Sequence, residues 1–286
     1  MANITSQFKA VFNDTQWSDA FYRFLQVIFH LYPEDKFHQL IKVETAAGKT
    51  DEEIYKSIQS KLKSIKPFLS ELTYALPALK KQKKEITSQT LGLLGDVKLI
   101  NGYAEIGSTG RYISQLKKEV SIAGPIYLIN DFAPTNSAGD IMERGQLTKL
   151  GSFIDINGYD PISNSIIADN SLDLVTCHIG LHHCPVLKLD GFMRSVYRIL
   201  RPGGSFVIRD HDVKTPDMAT FVSLVHTVFN VGLNETWAFE EKDFKNFKSA
   251  DEWAAIIEKA GFKDAGKRIL QDKDPSENTL MLFTKV

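Results

Sequence analysis

The chain is 286 residues long, 43% hydrophobic and 24% charged, with a formal net charge of −1. That length holds one large domain or a domain with a sizeable appendage, and the ordinary composition excludes a disordered chain. The near-zero charge supplies no global field for nucleic acid or an anionic membrane surface, so no nucleic-acid partner is expected.

The N-terminus, Met1-Ala2-Asn3-Ile4, lacks the charged-then-apolar start of a signal peptide. No apolar run reaches the roughly 20 residues that span a bilayer, which predicts a cytoplasmic protein with no membrane span. Trp17, Phe21, Phe24, Leu25, Ile28 and Tyr32 recur at helical spacing and form one broad apolar stripe. The stripe buries itself either in its own domain or against a second copy, so a homodimer is one expectation. Pro33 opens the next helix, with Glu34 and Asp35 in its first turn, and Gly48 ends it. Thr50 to Glu53 reads as a capping box, followed by Ile54, Ile58, Leu62 and Ile65 on one face until Pro67 interrupts. The basic run Lys80-Lys81-Gln82-Lys83-Lys84 reads as a solvated helix face, with a docking patch as the alternative. One or two further helices lead to Gly92 and Gly95.

Near Leu99 the pattern changes to short β-rich runs alternating with helices. Tyr103–Ile106, Ile126–Asn130, Phe153–Ile156, Leu172–His178 and Ser205–Arg209 read as five strands of an open, mostly parallel α/β sheet. Met218, Phe221, Val222, Val225, Val228 and Phe229 form an apolar stripe in which His226 reads as a hydrogen-bonded core residue. The segment Asn230–Phe247, rich in aromatic and acidic residues, reads as a loop able to cover a site. Ser249 to Glu252 caps a helix carrying Trp253, Ile256 and Ile257 and ending at Gly261. A hairpin of Ala265–Leu270 and Thr279–Lys285 then closes the sheet.

Several clusters carry chemistry. The first strand runs into Glu105-Ile106-Gly107-Ser108-Thr109-Gly110-Arg111, where glycines let backbone N–H groups approach a ligand at a helix start. Asp131 follows the second strand about 20 residues later, placed to accept from ribose hydroxyls; a helix cap before Ala133-Pro134 is the other reading. The loop after the fourth strand holds Cys177, His178, His182, His183 and Cys184. Two cysteines argue against a disulfide-stapled secreted domain. Their spacing with the histidines fits no common ligand pattern, and Cys177 and His178, as strand neighbours, point to opposite faces, so no metal is expected. The fifth strand ends in Arg209-Asp210-His211-Asp212. A carboxylate-oriented His211 would serve as a base; a salt-bridged cap, with Arg209 paired to Asp210 or Asp212, is the alternative.

The stretch Asn170-Ser171-Leu172-Asp173-Leu174-Val175-Thr176, then Leu181-His182-His183, then Arg198-Ile199-Leu200-Arg201-Pro202-Gly203-Gly204, is a strand, a loop and a helix stopped by Pro-Gly-Gly. It resembles, nearly residue for residue, the middle of the class I S-adenosylmethionine-dependent methyltransferases. The resemblance implies a Rossmann-like, mostly parallel seven-stranded sheet with an antiparallel last strand over residues 96–286. The all-helical region 1–95 would be a lid, a substrate-recognition element or a dimerisation element. It further implies S-adenosylmethionine as cofactor, held by Glu105, Gly107, Ser108, Thr109, Gly110, Asp131 and His178, with Asp160 (or Asp155) at the adenine. Methyl transfer to an oxygen or nitrogen of a small molecule is the expected reaction, with His211, His182 or His183 as base. The family's usual loop is acid-x-Gly-x-Gly-x-Gly; this chain keeps Glu105, Gly107 and Gly110 and is one residue shorter. Two other classes are weighed. A non-catalytic interaction protein on the same fold draws on the shortened loop. A nicotinamide-dependent oxidoreductase shares the first turn and Asp131, but the Arg-Pro-Gly-Gly turn resembles the methyltransferases instead.

Overall fold

A computed structural model describes residues 6–29, 31–66, 76–178 and 180–286; the helix stop expected at Pro67 and the start Met1–Ile4 lie outside the described residues. The chain divides into two compact units. Met1–Lys80, His211–Phe247 and Gln271–Glu277 form one; Lys81–Asp210, Lys248–Leu270 and Asn278–Val286 form the other. Among the described residues no helix is long and apolar enough to cross a membrane.

The first unit is helical. It holds α1 (Gln7–Phe12), α2 (Thr15–Phe24), α3 (Glu34–Ala47) and α4 (Asp51–Ile65), and it shares α5 (Leu76–Leu94) with the other unit. Ser6 and Asp14 cap the first two helices by accepting from Lys9 and Trp17 N–H groups. Thr50 and Glu53 form the expected reciprocal capping box on α4. A π turn, Leu25–Phe29, extends α2. Its wider turn aligns residues five apart, and it brings the rings of Phe24 and Phe29 to 6.2 Å. These helices share one core with α9 (Pro216–Gly232), whose Phe221 ring lies 5.1 Å from Trp17 and 5.9 Å from Phe21. The segment after α9 is pinned as well. Glu240, in the short helix α10 (Trp237–Glu240), accepts from Thr227 and Asn230 at 2.6 Å each and pairs with Lys245.

The second unit is a three-layer α/β/α sandwich. Its strands are β1 (Leu99–Ile106), β2 (Ser121–Asn130), β3 (Ser152–Asp155), β4 (Leu172–Cys177), β5 (Leu200–His211), β6 (Phe262–Leu270) and β7 (Asn278–Lys285). They form one sheet in the order β3-β2-β1-β4-β5-β7-β6. β1 to β5 pair in parallel, and β7 runs antiparallel to β6. One face packs on α8 (Val186–Ile199) and α11 (Ala250–Lys259) through Phe192, Met193, Trp253 and Ile257. The other packs on α5 and α6 (Ile113–Glu119) through Leu93, Ile113 and Leu116. Pro202-Gly203-Gly204 does not separate helix from strand as expected. Leu172 faces Leu200 and Leu174 faces Ser205, so β5 starts at once and the turn loops out of it as a bulge. Lys83, expected on a solvated face, is buried. Its ammonium donates to the carbonyls of Met142 (3.2 Å) and Glu143, capping the orphan carbonyls of α7 (Ala138–Arg144), and burial pushes it down to about 8.

Sequence order reverses between β1 and β4, the switch point at whose strand carboxyl ends open α/β sheets bind their ligands. Glu105, Asp131, Asp155, His178 and Asp210 all lie at those ends.

Candidate functional site

The glycine turn is closed upon itself. Gly107 (φ 82°) and Gly110 (φ 100°) take left-handed backbone angles that a Cβ disfavours. Glu105 is 1% exposed and accepts from the Tyr103 hydroxyl at 3.0 Å, from the Ser108 hydroxyl, and from the Tyr112 N–H at 3.4 Å. Ser108 Oγ in turn accepts from the N–H groups of Gly110 and Arg111, both at 3.1 Å. Thr109 stands half-buried at the tip. In this short turn a serine hydroxyl therefore occupies amides that the sequence alone would aim at a ligand. Burial pushes the Glu105 carboxyl up, and the bonds from Ser108 and Tyr103 oppose that shift.

His178 and Tyr112 adjoin this turn. The Thr90 hydroxyl donates to the Ile86 carbonyl at 2.7 Å and lies 3.0 Å from His178 Nε2. Its hydrogen being spent, Thr90 accepts, so Nε2 carries the proton and Nδ1 the lone pair. That Nδ1 is buried with no hydrogen-bond partner, as is the Tyr112 hydroxyl. The two rings meet edge to face at 4.6 Å. Burial pushes the His178 imidazole down to about 3, with Arg209 and Arg111 adding to the shift. Each such orphan costs about 1–3 kcal/mol. An ammonium for the nitrogen and a carboxylate for the hydroxyl would relieve both, so these residues fit the amino-acid end of S-adenosylmethionine.

Asp131 is exposed just past β2. No helix starts at Ala133-Pro134; α7 begins at Ala138 with Ser137 as its cap. Asp155 accepts from the Asn157 N–H at 2.7 Å, while Asp160 accepts from Asn157 Nδ2 at 2.6 Å and pairs with Lys188 at 2.7 Å. Between them Asn157, Gly158 and Tyr159 take consecutive positive φ angles of 47°, 58° and 66°. That strained turn drives the Tyr159 ring against Phe192, where its hydroxyl donates to the Gly180 carbonyl. Burial pushes this hydroxyl's pKa up, and Cys177, Cys184, Asp131 and Asp210 nearby add to the shift.

Gly180 (φ 106°) opens a 3₁₀ turn, Leu181–His183. The turn presents His182 to Asp210. His182 Nδ1 lies 3.0 and 3.1 Å from the two carboxylate oxygens, and its N–H adds a third bond at 3.2 Å. Both side chains are buried. A carboxylate accepts from the neutral ring, so Nδ1 carries the hydrogen and Nε2 is left as the basic nitrogen, the arrangement of a carboxylate-oriented general base. The His183 ring lies 4.4 Å from that of His182. Asp210 and His211, adjacent on β5, point to opposite faces, so Asp210 orients His182 and Asp212 pairs with Lys214 at 2.6 Å. His211 groups with the helical unit, its Nδ1 2.6 Å from the Ser276 carbonyl oxygen. The sequence marks His182, His183 and His211 as base candidates but not Asp210 as the partner of His182; strand alternation was the available signal. Tyr112 and Tyr159, contributed by turns, gave no such signal.

A family model described as a methyltransferase domain matches residues 145–208. Among curated relatives, the ubiquinone/menaquinone biosynthesis C-methyltransferase UbiE of Haemophilus ducreyi is 26% identical over 166 residues, covering 55% of this chain and 62% of the relative. The mitochondrial 2-methoxy-6-polyprenyl-1,4-benzoquinol methylase of Dictyostelium discoideum is 22% identical over 196 residues, covering 55% of this chain and 60% of the relative. The chain thus spans about three-fifths of the length of these relatives. Among solved structures, the CurJ carbon methyltransferase superposes with a TM-score of 0.50 at 13% identity, covering 95% of this chain and 71% of that one, a likeness of fold.

Proposed function

We propose that the chain, whose residues 145–208 match a methyltransferase domain, is a class I, S-adenosylmethionine-dependent enzyme that transfers a methyl group to an oxygen or nitrogen of a small-molecule acceptor. The observation that carries this reading is the buried His182–Asp210 pair at the carboxyl end of the sheet. S-adenosylmethionine supplies, when bound, a sulfonium methyl already activated for displacement, which leaves the protein to orient the partners, exclude water and take a proton. Glu105 and Ser108 hold the turn of Gly107, Thr109 and Gly110 in shape. His178 Nδ1 accepts from the cofactor's ammonium, and the Tyr112 hydroxyl donates to its carboxylate. Asp131 accepts from the ribose hydroxyls, and Asp155 or Asp160 from the adenine amine. His182 Nε2 takes the acceptor's proton, and Asp210 stabilises the imidazolium that forms. We assign the proton to His182 because both carboxylate oxygens of Asp210 fix its tautomer. Acceptor selection is assigned to the helical unit.

A second reading is transfer to a ring carbon of a hydroxyarene, favoured by the similarity to the UbiE C-methyltransferases. The same base serves it, since removing a phenol proton pushes electron density onto the ring. A panel of hydroxyl, amino and phenolic acceptors, followed by release of S-adenosylhomocysteine, tests both. His182→Gln should lower turnover about 10²-fold or more while leaving S-adenosylhomocysteine affinity within about twofold. Full turnover in that variant would remove His182 as the base. Carbon-linked methyl in the product would select the second reading.

A further inference from the structure

We propose that His211 and His226 form a binding site for one divalent metal ion of the zinc, nickel or copper type. Both residues belong to the helical unit. His211 ends β5, and its Nδ1 lies 2.6 Å from the carbonyl oxygen of Ser276. A carbonyl only accepts, so Nδ1 carries the hydrogen and, in the neutral ring, Nε2 carries the lone pair. This is the posture of a metal-ligating histidine, whose second nitrogen donates to a carbonyl and so fixes tautomer and ring orientation. The carbonyl is itself held in a built turn. The N–H and hydroxyl of Ser276 both donate to Asp274 Oδ1, at 2.9 and 2.6 Å, and the Asp212 N–H donates to the Glu277 carbonyl at 3.0 Å.

His226 approaches from the middle of α9, its Nε2 3.2 Å from His211 Nε2. Two zinc–nitrogen bonds of about 2.0–2.1 Å at a near-tetrahedral angle set their nitrogens about 3.3 Å apart. The separation therefore matches that of two ligand nitrogens on one metal ion. Phe247 packs against both rings, with centroids 5.8 and 5.1 Å away, and limits their rotation. Imidazole nitrogens suit zinc, nickel and copper rather than magnesium or calcium, which take oxygen. The other occupant of a 3.2 Å nitrogen–nitrogen gap is a single proton, as an N–H···N bond. Linear motif reading misses the pair because one ligand ends a strand and the other sits 15 positions on, within an apolar helix stripe.

The test is calorimetric titration of the metal-stripped, tag-free full chain with zinc chloride and with nickel chloride. One equivalent is expected per chain, with a zinc-dependent rise in melting temperature. His226→Gln and His211→Gln should each weaken that site at least tenfold. No uptake by the wild-type chain, a reading that depends on no variant's folding, would overturn the proposal and leave the shared proton. Unchanged stoichiometry and affinity in either folded variant would overturn it equally.

Discussion

Asp210 grips His182 through both carboxylate oxygens and the backbone, which fixes Nδ1 as the nitrogen that carries the hydrogen. Asp210→Asn keeps the volume and removes the charge that stabilises the imidazolium. Turnover should fall by about 10²-fold or more with binding of S-adenosylhomocysteine retained, measured by steady-state kinetics beside calorimetry. His178 makes a separate prediction, for stability. Its folded pKa lies near 3 against an ordinary 6.5, so between those values the unfolded chain holds a proton that the folded chain refuses. Stability should therefore fall as pH drops below 6.5, by up to about 1.4 kcal/mol per unit from this residue. Urea unfolding at pH 6.5 and 5.0 should show a shallower acid loss in His178→Leu; equal losses would mean that the buried ring does not resist protonation.

At the scale of elements, the capping boxes at Thr50–Glu53 and Ser249–Glu252 were legible because they are local, reciprocal bonds between residues three apart. Thr50→Ala should cost about 1 kcal/mol, read from the unfolding midpoint. The alternation of strands and helices was legible for the same reason: hydrophobic period is a local property. What escaped depends on partners distant in sequence. Lys83 is buried because α7 presents carbonyls to it, and nothing in the run Lys80–Lys84 announces that. The glycine turn shows the limit most clearly. Its missing residue was visible, but the role of Ser108 as acceptor for two amides was not. Ser108→Ala should release those amides and lower thermal stability, because Glu105 loses a donor while buried; an unchanged melting temperature would mean that the ring of bonds contributes nothing.

At the scale of the whole molecule, the helical unit is assembled from three separated stretches of chain. The apolar stripe of α9 announced burial but not the partner, since a helical period specifies a face and no more. Its partners are the N-terminal helices: Phe221, Val222, Val225 and Val228 share a core with Phe8, Phe21 and Phe24. A chain lacking residues 1–80 should therefore expose the α9 face, giving strong ANS fluorescence and loss of cooperative unfolding of that unit. The sheet unit was far more legible, because the switch between β1 and β4 follows from the strand–helix alternation and the family-like stretch Asn170–Arg209. Within its crevice, the carboxylates and histidines were readable by type, and their pairing was not. The central claim is that this crevice holds S-adenosylmethionine by the residues named. Calorimetric titration of the full chain with S-adenosylhomocysteine and with NAD tests it most directly. One saturable site for S-adenosylhomocysteine is expected, at least tenfold weaker in both Asp131→Ala and His178→Leu, and none for NAD; absence of S-adenosylhomocysteine binding by the folded wild-type chain would overturn the assignment.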